Sequence, residues 1–75
     1  MTFMALARFE RDDLVVVNEG VKLPFKFTSR LGIVRFVYDH DLPAYDVEFY
    51  WCGSSLGKHY FEDEELRLAR FEGLG

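Results

Sequence analysis

Two histidines, one cysteine and two charged stretches hold most of the side chains that could do chemistry in this 75-residue chain. Asp39-His40-Asp41 sets a carboxylate, an imidazole and a carboxylate in a row, all competent metal ligands, and His59 could join them. Neighbours on an extended chain point to opposite sides, so the three cannot all converge. Asp residues before Pro43 are also ordinary turn chemistry. The stretch therefore reads as a turn, with no metal and no cofactor expected. Cys52 with His59 or His40 would make a thiol–imidazole pair. A nucleophilic cysteine needs a lowered pKa, a base within hydrogen-bond reach and an orienting third group. Nearby acids such as Asp46 and Glu48 would work against the first of these. Cys52 reads instead as a small apolar residue packing at a strand end. Glu62-Asp63-Glu64-Glu65 lacks the alternating ligands and central Gly of a calcium loop. These acids suit the solvated first turn of a short helix. No catalytic residue is assigned, and the chain reads as non-enzymatic.

The most promising set is basic. From Val21 to Tyr38 there is no acid, and Lys22, Lys26, Arg30 and Arg35 are interleaved with Phe25 and Phe27. Cations beside stacking aromatics suit single-stranded nucleic acid. They suit an acidic protein surface equally well, and they could pair within the chain. The whole chain carries a net charge of −4, with a pI near 5.0, which repels nucleic acid at long range. An acidic protein partner is the reading preferred over nucleic acid, which stays open.

These residues need a frame, and its signals are β. Runs at 13–18 (DLVVVN), 31–38 (LGIVRFVY), 45–52 (YDVEFYWC), 57–61 (GKHYF) and 66–71 (LRLARF) read as five strands. In YDVEFYWC, Tyr45, Val47, Phe49 and Trp51 fall on one face, and Asp46, Glu48, Tyr50 and Cys52 on the other. A long connection at 18–30, a DHDLPA turn, a GSSLG hairpin and an acidic single helical turn join them. The expected fold is all-β: a five-stranded SH3-like small barrel, residues 1–75 as one domain, with a one-turn helix before the last strand.

The stretches DLVVV (13–17), GIV (32–34), YDVEF (45–49) and FEDEEL (61–66) resemble small bacterial SH3-like barrel proteins of unknown function. They are also similar in pattern to the fold of the small barrel protein of photosystem I. The resemblance covers residues 12–68, and its motifs are fold motifs. Asp12 stands where the bacterial barrel family has Gly, and the photosystem loop residues are missing, so only the fold carries over. The resemblance implies a stand-alone gene of the kind found on mobile elements.

Alternation places Val15, Val17, Val34, Phe36, Val47, Phe49 and Trp51 inside, closed by Phe61, Leu66 and Leu68. Leu14, Val16, Ile33 and Val37 then point outward, where an antiparallel sheet facing water is normally polar. Two covers are open to them. The N-terminal extension 1–11 could fold back with Phe3, Met4, Leu6 and Phe9, or a second copy of the chain could dock. A domain this small has a thin core and often needs extra support. One cysteine rules out an internal disulfide, whereas eight Phe, four Tyr and one Trp supply heavy core side chains. The lone cysteine, the lack of a basic leader before the first apolar stretch and the absence of a long apolar run point to the cytoplasm and away from membranes. The expected function is a self-associating interaction module. Its working surface is loop 19–30, with Lys22, Phe25, Lys26, Phe27 and Arg30, joined by rim aromatics Tyr38, Tyr50 and Tyr60. A small-ligand or enzymatic site built between subunits is the remaining alternative.

Overall fold

The computed structural model describes residues 7–39 and 41–69. Its strands are β1 (Leu14–Val17), β2 (Leu31–Tyr38), β3 (Ala44–Trp51), β4 (Ser54–Glu62) and β5 (Leu66–Leu68). A 3₁₀ turn, Asp63–Glu65, precedes β5. All neighbours pair antiparallel in one sheet of order β4-β3-β2-β1-β5. The protein is thus all-β, with the strand number, long first connection and late 3₁₀ turn expected of a small SH3-like barrel.

The inner face follows the alternation closely at its centre. Val15, Val17, Val34, Tyr45, Val47, Phe49, Phe61 and Leu66 are all fully buried. Gly32 belongs to this packing. A Cβ there would run into Val47 Cγ1 and sit 3.1 Å from both Glu48 O and Phe49 Cε1. The strand therefore has no room for a side chain beside its β3 neighbours.

Three inward expectations fail, two near register shifts and one at the end of an edge strand. The β2–β3 register shifts between Val34 and Phe36, which pair with Val47 and Asp46. One extra residue on β2 is a β-bulge, and it resets which side chains face in. Phe36 therefore turns outward and is 53% exposed, while Val37 turns inward and packs against the core. Val37 is thus not part of the outer face where the alternation placed it. A second shift lies between Phe49 and Tyr50. Beyond it the β3–β4 hairpin closes through Cys52 and Gly53 alone, with φ of 50° and 81°. Two consecutive positive φ values are the signature of a tight hairpin turn matched to strand twist. The turn is therefore shorter than the GSSLG connection expected. Trp51 lies at the tip and is 58% exposed. Cys52 is exposed and free in the turn rather than packed at a strand end. Leu68 ends the edge strand β5 and is also exposed.

The ends of the barrel are closed by segments outside the strands. Phe9 is buried and meets the Tyr45 ring edge-on at 5.2 Å. Phe9 therefore plugs the inner core; Phe3, Met4 and Leu6, which carry the expected cover of the outer face, lie outside the described residues. At the other end Phe27 stacks on Phe49 with centroids 4.5 Å apart. The 3₁₀ turn has a reciprocal cap, in which the Glu65 side chain accepts from the Glu62 N–H at 2.9 Å.

Candidate interaction surface

The outer face is made by side chains that alternate with the core set. Leu14 lies opposite Ile33, and Val16 opposite Leu31. All four keep some exposure, so the β1–β2 end of the face is apolar. Toward β3 and β4, Phe36 lies opposite Asp46, and Asp46 opposite Tyr60. Tyr38 bridges the two aromatics, its ring 4.8 Å from Phe36 and 5.5 Å from Tyr60. Its hydroxyl donates to Asp46 Oδ2 at 2.8 Å, and this bond, with burial, raises the Tyr38 pKa. Tyr60, like Phe36, is 53% exposed. Asp46 is therefore a support for this aromatic row rather than a bare solvent-facing acid.

A polar cluster lies on the same face. The Glu48 carboxylate accepts from Ser55 Oγ at 2.6 Å, Tyr50 OH at 2.8 Å and Arg35 Nε at 3.0 Å. These three donors, Ser55 foremost, hold its pKa down to about 2. Arg35 also donates to Tyr50 OH at 2.7 Å and to Asp12 Oδ1 at 2.9 Å. The Tyr50 and Glu48 bonds raise its already high pKa. Every strong donor and acceptor here is matched to a partner, so the cluster stiffens the sheet. It also uses up Tyr50, which is half-buried, and so removes it as a rim anchor.

The basic loop is divided by the fold. Phe27 is core, with its ring between Phe49 and His59 and Lys26 Nζ 5.3 Å from its centroid. It is not available for binding, against expectation. Arg30 donates to Asn18 O at 2.8 Å, which holds the base of the loop together. Arg35 belongs to the Glu48 cluster. Lys22, Phe25 and Lys26 remain exposed, and Phe25 is fully so at a turn closed by Phe27 N–H to Pro24 O at 3.0 Å. The loop packs on the inner side of the sheet through Phe27, whereas Tyr38, Tyr50 and Tyr60 lie on the outer side. The expected single working surface is therefore two separate ones.

Among the described residues the chemical candidates do not assemble. Among the described residues no group of three or more His, Cys, Asp or Glu side chains could hold a metal, and His40 lies outside them. His59 packs edge-on against Phe61 at 5.0 Å, with no hydrogen bond to Cys52 in the hairpin turn. Asp63 is structural. Arg8 Nε donates to it at 2.6 Å, and Tyr45 OH donates to its Oδ2 at 2.6 Å. Burial works to raise the Asp63 pKa, but the bonds from Tyr45 and Arg8 outweigh it and hold the group below its ordinary value. Two open grooves flank this region, one beside Leu42, Pro43 and Glu64, the other beside Phe9, Arg11 and Val37. Among the described residues, neither is lined by the cysteine or a histidine.

Sequence reasoning missed Phe36 and Trp51 as surface residues. A bulge leaves no mark in composition. The Cys52-Gly53 pair did carry a signal, since a glycine in a two-residue gap between alternating runs is a hairpin cue. Compared with protein-family models, curated proteins and solved structures, the chain matches none. No helix among the described residues is long and apolar enough to cross a membrane.

Proposed function

We propose that this chain is a non-enzymatic protein-interaction module that self-associates through the outer face of its sheet. The observation that carries the reading is the composition of that face. Leu14, Val16, Leu31 and Ile33 at one end and Phe36, Tyr38 and Tyr60 at the other make it far more apolar than a solvated antiparallel face should be. Exposed apolar surface of this kind marks contact sites. Aromatic anchors that keep a polar handle, as Tyr38 and Tyr60 do, are the side chains that dominate such contacts.

A second surface is favoured by one observation, the full exposure of Phe25 between Lys22 and Lys26. An aromatic tip flanked by two cations suits an acidic protein partner, with the lysines steering encounter. Single-stranded nucleic acid is the weaker choice, because Phe27 has no face to offer for stacking. The resemblance to small bacterial barrels, together with a lone exposed thiol, supports a reducing cytoplasmic setting.

Sedimentation of the full chain from low to high micromolar concentration tests the reading. Mass should rise with concentration, and Ile33→Asp should weaken that rise while leaving the chain folded. A strict monomer at high micromolar concentration would overturn self-association.

A further inference from the structure

β4 is the longest strand and an edge of the sheet among the described residues. Its outward hydrogen-bonding groups can be assigned. Asp63 N–H donates to Pro43 O, so Asp63 faces β3. Glu62 N–H instead donates to the Glu65 side chain, so Glu62 faces away. Because these directions alternate along an antiparallel strand, Phe61 and His59 face β3, while Lys58 and Tyr60 offer their N–H and C=O outward. No described backbone bond from these outward groups reaches another strand. The side chains of Lys58, Tyr60 and Glu62 all lie on the outer face.

An edge like this is a template for another strand. We infer that its occupant is β4 of a second copy, paired antiparallel about a two-fold axis at Tyr60. This rests on the self-association proposed above and adds to the face contact a second contact between copies, at the sheet edge. The outward groups restrict the possible axes. Centring on Lys58 or on Glu62 sets like charges face to face. Centring on His59 or Phe61 opposes a charged side chain to Tyr60. Centring on Tyr60 alone puts each Lys58 opposite a Glu62 and the two tyrosines opposite each other. Opposite charges and aromatic pairs directly across a ladder are stabilising, and like charges are destabilising. Lys58, which would guard the edge against other strands, thereby selects this one. The pairing also joins the two Phe36–Tyr38–Tyr60 rows into one aromatic strip across both copies. Glu62 N–H must exchange its bond to Glu65 for one to the partner, which loosens the cap of the 3₁₀ turn in the paired state.

Charge reversal tests the register. In sedimentation of the full chain, Lys58→Glu and Glu62→Lys should each weaken the dimer by about tenfold, since two cross-strand pairs change sign together. The double variant K58E/E62K should regain it. Hydrogen exchange supplies a readout independent of substitution: the amides of Lys58 and Tyr60 should gain protection as concentration rises. A dimer indifferent to all three variants, with these amides unprotected, would overturn edge pairing while leaving self-association standing. A strict monomer would overturn both.

Discussion

Tyr45 is the residue on which most of the closure depends. Its ring is in the core, and its hydroxyl accepts from the N–H of Arg8 at 3.0 Å while donating to Asp63. One oxygen thus ties the N-terminal segment and the 3₁₀ turn to β3. Tyr45→Phe keeps the ring but strands these partners, and should destabilise the fold by about 1–3 kcal/mol in chemical denaturation. Burial, reinforced by the Asp63 bond, pushes the Tyr45 pKa up to about 12. A folded-state pKa above the unfolded value adds stability that is complete below about pH 10 and is lost as pH rises through about 12. An ultraviolet titration should show Tyr45 as a late-ionising tyrosine, absent from the Tyr45→Phe variant. An ordinary titration for every tyrosine would contradict the buried bond.

At the scale of elements, the sheet shows what alternation can and cannot predict. The runs DLVVV and YDVEF announced β1 and β3, because β-branched and aromatic residues at period two fit a pleated, half-buried surface. The acids 62–65 announced the 3₁₀ turn. The facing of Phe36 and Val37 was not legible, because inserting one residue flips every later side chain without altering residue types. Tyr50 and Glu48 were seen as surface residues, but their bonding to Arg35 and Ser55 depends on register across three strands. The two-part binding surface was hidden for a similar reason: Phe27 is buried by a loop whose path no local pattern states. Gly32 makes the packing of β2 on β3 testable. Gly32→Ala drives a methyl into Val47 and should cost about 1–3 kcal/mol as overpacking, read as a lower thermal midpoint. The paired variant G32A/V47A should recover part of the loss. No change in midpoint on Gly32→Ala would mean the close approach is not real.

For the whole molecule, two carboxylates among the described residues contribute to the response to acid. Glu48 is held to about 2 against an ordinary 4.5, and Asp63 is also held below its ordinary value. Depressed folded-state values add stability that is complete above the unfolded pKa and disappears as pH falls through the folded one. Stability should therefore decline from about pH 4.5 toward pH 2, and Glu48→Gln should flatten part of that decline. A thin core also makes the fold depend on surfaces that a larger domain could leave alone. The outer face, apolar at one end and aromatic at the other, is such a surface. Its use as a contact between copies is the central claim. A dilution series followed by amide chemical shifts of the full chain tests it most directly. Shifts should move with concentration at Leu31, Ile33, Phe36 and Tyr60 and stay fixed at Phe25 and Lys26. Spectra unchanged by dilution, or changes confined to the 19–30 loop, would contradict it.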